Sequence, residues 1–516
     1  MRHTPTSYTV AGEDEADNVR QFRFSRWGPR GHALDRDVLK KVARAMTAPV
    51  PVEVPGSAAV PAGYTYLALF AGHDLTMDRT RGRRDEQVSV RDVLEGRSPA
   101  LDLDSVYGLG PDDADDDRFY APDRVRFKVG LTAAVAGAGT EVNLNGYDLP
   151  RVTHGDTKAE RQAPLIADPR NDHSLPLAQT HLAFLHFHNR VADRLGVDGP
   201  TGRQLFQAVR ETVVRHYQWM IVTDVLPRVV DPAILHDVFL NGRRYFDVGA
   251  TGTPALPLEF ALAAYRFGHS MVRPAYDWNR IFDGDRGTRS LMSVLTGLGG
   301  NFDLAAADVS DPKSGLLERL PTDWTIDWRR LYDFAGENAL DDLAAPAGPN
   351  LARPITTRLL DGTSGNEGPG RTERNQAFRD LDRAASTELA SGQQMAELLG
   401  MRPLEAEQII AGRHGAVLDE LTDRQRAALA ANTPLWFYVL REAELSGGRL
   451  SGVGGRIVAE VFHRALESSR VSIVRDRLWR PSLGPSRDTF RMTDLLLIAF
   501  QGRRDRLAPL GDTAPA

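Results

Sequence analysis

Apolar positions in this chain recur mostly at spacings of three and four, the period of a helix, and rarely in the alternation of a strand. A short helix is predicted over 36–47. A second runs from near Tyr64 through Leu75, after the turn at Pro61-Ala62-Gly63. Four clearer periodic stretches follow. Ser174–Leu195 sets Leu175, Ala178, Leu182, Leu185 and Val191 on one side, and Gly202–Leu226 is expected to stop at Pro227. Leu258–Val272 and Gly455–Ser468 complete the set. Residues 80–125 are charged and loop-like, and the acidic run Asp112–Asp117 reads as a solvated loop. Residues 344–374, rich in Pro, Gly, Asn and Thr, are expected to wrap the surface. There is no internal repeat. The pattern predicts a mainly α fold with few short strands, divided into an irregular arm over 1–35, a folded body over 36–505 and a flexible tail over 506–516.

Composition narrows the chemistry. The 516 residues carry 63 Lys+Arg against 69 Asp+Glu, a net charge of -6 that argues against a general nucleic-acid binder. Arg far outnumbers Lys, which reads as a GC-rich, bacterial coding bias. The chain has no cysteine. Disulfides, thiolate metal sites and Cys nucleophiles are therefore excluded together. No stretch approaches ~18 apolar residues, so no membrane span is expected. Met1–Arg20 is polar and acidic without an apolar leader core, and a cytoplasmic location is expected.

Four short segments carry candidate chemistry. His73 and Asp74 form a polar pair at the end of an otherwise apolar helix. His269 falls within the stripe Leu258, Leu262, Tyr265, His269 and Val272. Gly268 beside it would let a flat ligand come close. In an extended segment, Ser98, Ala100, Asp102 and Asp104 would face one way. They would offer a hydroxyl, a carbonyl and two carboxylates, a hard-oxygen set suited to calcium, with Asp74 as a further ligand. Asp168-Pro169-Arg170-Asn171-Asp172-His173 opens the helix that holds His181, His186 and His188, and those three histidines read as structural.

Together, and in this order, these segments resemble the animal-type heme peroxidase (peroxidase–cyclooxygenase) superfamily over about residues 20–500. The carriers are Ala62 through Thr76, Leu101 through Gly108, Asp168 through Asn171 with His188-Asn189-Arg190, and Tyr265 through Ser270. Leu389 through Gln393 and Val453 through Glu460 look like bacterial members. The resemblance implies a helical fold with heme buried in its core. It makes His269 the proximal iron ligand, His73 the distal base and Arg170 the distal arginine. Arg266 would pair with a heme propionate. Asp74, Ser98, Ala100 (by its carbonyl), Asp102 and Asp104 would hold calcium.

The departures from the family pattern are informative. Leu69 stands where halide-oxidising members carry Gln, which places halide oxidation in doubt. Gly72 replaces the Asp of one heme ester, His173 the Glu of the other, and Ser174 the heme-linked Met of myeloperoxidase, so non-covalent heme b is expected. His173 would add a second base at the heme edge or fill space. Asp380 occupies the place of the Asn that bonds the proximal His, with a salt bridge to a nearby Arg, such as Arg383, as the alternative. Arg266 stands where cyclooxygenase-type members carry a radical-forming Tyr, and Tyr265 is expected to point elsewhere on the helix. The resemblance implies a peroxidase acting on hydrogen peroxide and small organic, aromatic donors. Two other readings stay open: a heme-dependent oxygenase or tailoring enzyme, and a heme-binding protein with little turnover.

Overall fold

The computed structural model describes residues 22–49, 60–79, 93–137, 139–250, 254–286, 290–291, 318–360 and 375–513. The helices that build the core and the site are α1 (Arg36–Met46), α2 (Gly63–Leu75), α3 (Leu175–Leu195), α4 (Gly202–Met220), α5 (Gln376–Ser386), α6 (Leu435–Leu445), α7 (Gly452–Ser468) and α8 (Met492–Ala499). Strands among the described residues are short and antiparallel: β1 (Phe22–Arg23) with β2 (Leu94–Glu95), β3 (Gly130–Leu131) with β4 (Asn145–Asp148), and β5 (Ala275–Tyr276) with β6 (Ser290–Leu291). The mainly α expectation holds.

Local chemistry sets several boundaries. Asp35 caps α1 by accepting from Asp37 N–H at 2.7 Å. Val38, Leu39, Val42 and Met46 then bury one face, which packs on α5. α3 begins after Ser174 with Pro176 in its first turn, where a missing N–H costs nothing. It is the central helix and packs against α2, α4 and α8. Phe70 of α2 stacks on Phe184 of α3 with ring centroids 4.6 Å apart.

Two predicted helices differ from expectation. Pro227 does not stop its helix. A π-turn over Ile221–Val225 absorbs the mismatch, and Pro227 sits in the first turn of a further helical segment, Leu226–Val229. The predicted helix Leu258–Val272 breaks into three pieces: a helical turn at Leu258–Ala261, a 3-10 turn at Ala264–Phe267 and a helical turn at Gly268–Met271. Ala263 leaves helical geometry between the first two (φ -134°, ψ -78°). Tertiary packing overrides the periodicity: the Tyr265 ring stacks on Phe260 and meets Phe267 edge-on.

Residues 344–360 do not simply wrap the surface. Asn350, Ile355 and Thr357 are buried, and Asn350 bonds to Ala62, Asp277 and Arg330. Residues 361–374 lie outside the described residues. The acidic run is only partly a solvated loop: Asp116 accepts from Leu109 N–H at 2.7 Å, and Asp117 opens a 3-10 turn. Of the arm, residues 22–35 are described: Phe24 is buried, and Trp27 and Gly28 donate their N–H groups to Glu259. The C-terminal residues are held at Leu510, whose carbonyl accepts from Arg280, and at Asp512, which pairs with Arg329 at 2.5 Å.

Candidate functional site

α2 is apolar nearly all the way round, the signature of a helix buried on every side. Two of its residues are exceptions. Leu69 is 37% exposed and His73 is half-buried. They are four apart, hence on one face. That face, with Thr65, Gly72 and the following Thr76, forms one wall of a cavity of about 900 Å3. The segments around Tyr265 and His269 form another wall, and α5 contributes Gln376, Phe378 and Asp380. His73, Arg170, His269, Arg266 and Asp380 therefore meet at one cavity, although the sequence spreads them over more than 300 residues.

On the α2 wall, His73 Nδ1 lies 2.9 Å from Asn171 Oδ1. Its Nε2 has no hydrogen-bond partner among the described residues. Burial, aided by the Arg170 charge, lowers the His73 pKa to about 3, so the ring is neutral at ordinary pH. Arg170 is held by four of its five N–H groups. Nη1 donates to Thr76 O at 2.7 Å and Nη2 to His73 O at 2.8 Å, while Nε and Nη2 also bond the Asp168 carboxylate. One Nη1 N–H remains. Asp168 is fully buried and is also paired with Arg97; the two guanidiniums overcome desolvation and hold its carboxyl well below the usual range.

On the opposite wall, His269 Nδ1 lies 3.1 Å from Asp380 Oδ2, angled off a straight hydrogen bond. Asp380 also pairs with Arg266 and accepts from Gln376 Nε2 at 3.0 Å. Burial pushes this carboxyl up, but Arg266 and His269 outweigh it and hold the pKa at about 2. The alternative, a salt bridge to a nearby Arg, is also present, but with Arg266; Arg383 reaches Asp78 at 2.8 Å instead. Arg266 is thus committed to Asp380 and Ala261 O through Nη1 and Nε, with no partner for Nη2 among the described residues. Trp436 meets the His269 ring edge-on, its centroid 6.1 Å away.

The lining suits a flat, anionic, iron-bearing ring. A Cβ built on Gly268 meets nothing within 4 Å, so open space lies beside His269. Leu69, Leu262, Phe267 and Val272 supply apolar surface, and five guanidiniums against three carboxylates line the polar side. Gly72 has a packing reason of its own. A Cβ there would come 2.9 Å from the Tyr265 ring, so any side chain at that position would press on the ring. Tyr265 does not point elsewhere: it lines the cavity, with its hydroxyl donating to Ala68 O of α2 at 2.8 Å. His173 is exposed at the end of the 3-10 turn Pro169–Asp172 and does not line the cavity.

The acidic segment is brought to α2 but not as an extended strand. It bends, Leu103 adopts a left-handed φ of 56°, and Asp104 opens a short helix. Asp74 accepts from Leu103 N–H at 3.1 Å and Ser105 N–H at 3.2 Å. Ser98 Oγ donates to Asp104 at 2.7 Å, Arg210 reaches Asp104 at 3.3 Å, and Asp102 accepts from Arg470 N–H at 3.0 Å. Ala100 is buried in the same segment. Burial, reinforced by the Asp104 charge, raises Asp74 and Asp102 to about 7. Among the described residues, no group of three or more His, Cys, Asp or Glu side chains stands in a metal-holding arrangement.

Sequence reasoning missed Asn171, His181 and Arg97. Asn171 joins His73 to His181, so His181 is more than a packing residue. His186 and His188 are structural as read, bonding Gly146 O and both Tyr107 Oη and Val125 O. The signal for Asn171 was its place beside Arg170 in the Asp-Pro-Arg-Asn helix start.

Peroxidase A from Dictyostelium discoideum is similar in structure, with a TM-score of 0.56 and 16% identity, over 90% of this chain and 91% of that one. A fatty acid alpha-dioxygenase from Oryza sativa aligns with a TM-score of 0.53 and 11% identity, over 93% of this chain and 80% of that one. These likenesses establish the fold. Residues 50–293 match a family model described as animal haem peroxidase. Heme peroxidase 2 of Caenorhabditis elegans is 26% identical over 210 residues, 39% of this chain and 27% of that protein. Mouse myeloperoxidase is 30% identical over 112 residues, 21% of this chain and 15% of that protein. The similarity thus spans about a quarter or less of these curated relatives. No helix among the described residues is long and apolar enough to cross a membrane.

Proposed function

We propose that the protein is a heme-dependent peroxidase that uses hydrogen peroxide to oxidise small organic, aromatic donors. The observation that supports this most is the pairing across one cavity of a neutral imidazole with its Nε2 free (His73) and an imidazole backed by a buried carboxylate (His269 with Asp380). His269 would hold iron through Nε2, and Arg266 Nη2 would take a propionate. Bound heme supplies the redox-active iron that stores the two oxidising equivalents of peroxide.

The chain's own residues handle protons and charge. His73 Nε2 takes the proton of one peroxide oxygen and returns it to the other, which leaves as water. The remaining Arg170 N–H, fixed by Asp168 and two carbonyls of the α2 terminus, stabilises negative charge on the departing oxygen. The apolar wall at Leu69 offers no amide to order a halide, so organic donors fit better. Heme would be held without a covalent link, as Gly72 and the exposed His173 supply no carboxylate. Calcium at Asp74, Ser98, Ala100, Asp102 and Asp104 belongs to the same proposal. Three buried like charges support it, since a divalent cation relieves their repulsion. Against it, N–H donors already occupy their oxygens.

The test is the absorption spectrum of heme-loaded protein before and milliseconds after adding hydrogen peroxide. The expected result is a rapid spectral conversion that an aromatic donor reverses. A heme spectrum indifferent to peroxide would overturn the proposal.

A further inference from the structure

Asn171 bonds two imidazoles at once. Its Oδ1 lies 2.9 Å from His73 Nδ1, and its Nδ2 lies 3.0 Å from His181 Nδ1. Asn171 and His181 are both fully buried, and His181 lies within α3. A primary amide has one accepting end and one donating end. It therefore cannot treat the two rings alike. The ring facing Oδ1 must carry its proton on Nδ1, and the ring facing Nδ2 must leave Nδ1 bare. The two histidines are locked into opposite tautomers by one side chain.

We propose that Asn171 is the positioning residue that fixes His73 as the Nδ1–H tautomer and so keeps Nε2 a lone-pair acceptor toward the cavity. The importance of this device rests on the reading of His73 as the proton acceptor, but the tautomer is a property of the chain alone. Rotating the amide by half a turn would reverse both rings. His73 would then carry its proton on Nε2 and could accept none there. In the orientation seen, His181 Nδ1 accepts from the amide. Its Nε2 has no hydrogen-bond partner and then carries the proton. The device also has a fixed mounting. Asn171 lies in the turn Pro169–Asp172, and neighbouring Arg170 clamps that turn to the carbonyls of His73 and Thr76. Guanidinium and amide thus set the place and the polarity of the same imidazole.

The experiment is a long-range proton–nitrogen NMR correlation on full-length protein without heme, labelled with 15N-histidine. His73→Gln and His181→Gln assign the two rings. In the wild type, His73 is expected as Nδ1–H and His181 as Nε2–H. Asn171→Ala should shift the His73 tautomer ratio toward Nε2–H by about fivefold, the size of one intramolecular hydrogen bond. Asn171→Asp keeps an acceptor for His73 but loses the donor to His181. It should leave His73 as Nδ1–H and move His181 to Nδ1–H, and it serves if the alanine variant does not fold. Wild-type His73 as Nε2–H, or rings that stay unchanged in either folded variant, would overturn the proposal. Failure of the loaded protein to react with peroxide would instead overturn the functional reading and leave the tautomer result standing.

Discussion

Asp380→Asn is the sharpest perturbation of the His269 wall. The wild-type carboxylate is 4% exposed, lies 3.1 Å from His269 Nδ1, and is held ionised by Arg266 despite burial. An amide keeps the shape and removes the charge. A hydrogen bond to a charged partner is worth about 1 kcal/mol more than one to a neutral partner. A tenfold change in a one-electron equilibrium, about 1.4 kcal/mol, corresponds to about 59 mV. Loss of the charge should therefore raise the heme reduction potential by about 40 to 60 mV. Arg266 draws on the same carboxylate and weakens its hold on His269. Arg266→Gln, measured at pH 8 where Asp380 stays ionised, should lower the potential by a similar amount. Spectroelectrochemical titration of the three loaded proteins reads both shifts. Opposite signs support the arrangement. An unchanged potential in Asp380→Asn, or shifts of the same sign, would refute it.

Acid-acetone extraction should remove all heme from the polypeptide; heme that stays attached would contradict non-covalent binding. His73→Gln should slow the peroxide-dependent spectral change by about 10²- to 10⁴-fold, the usual contribution of a positioned base, and a loss below tenfold in stopped flow would remove His73 from that role. Asp74 titrates at about 7 in the fold and at about 4 when unfolded, so the folded chain binds the extra proton between those values. Measured against Asp74→Asn, metal-free wild type should lose thermal stability as pH rises from about 4 to about 7, and calcium should restore it at pH 7. A melting-temperature difference from Asp74→Asn that rises through this window, or a wild type that ignores calcium against chelator, would count against the acidic cluster as drawn. Gly72→Asp should lower the melting temperature even without heme, since its Cβ would press on Tyr265; an unchanged melt would show that the ring yields freely.

Helices with one continuous apolar face were legible in the sequence. α1, α2, α3 and α7 begin and end within three residues of expectation, with a capping side chain at the start of α1 alone. The segment around His269 was not legible as a break. Its periodicity suits one helix, and only the packing of Tyr265 between Phe260 and Phe267 turns the backbone aside. For the same reason the sequence could not place Tyr265 on the cavity wall. The choice between Arg266 and Arg383 as the partner of Asp380 was equally hidden. It depends on Asp78, which captures Arg383 from a different part of the chain. His73, Arg170 and His269 stood out because an imidazole or guanidinium in an apolar setting needs a reason. Asn171 did not, since an amide at a helix start already has one.

The closures that shape this cavity are made between distant parts of the chain. His73 and Asn171 are 98 residues apart, Arg170 and Thr76 94, and Arg266 and Asp380 114. Contacts of such separation form late, because each must first overcome the entropy of closing a long loop. During synthesis the α2 wall can close once Asn171 has emerged, while His269 waits more than a hundred residues longer for its carboxylate. Until then no arrangement of the nascent chain offers both imidazoles with their partners. The order of emergence thus leaves the His269 wall to be completed after the α2 wall.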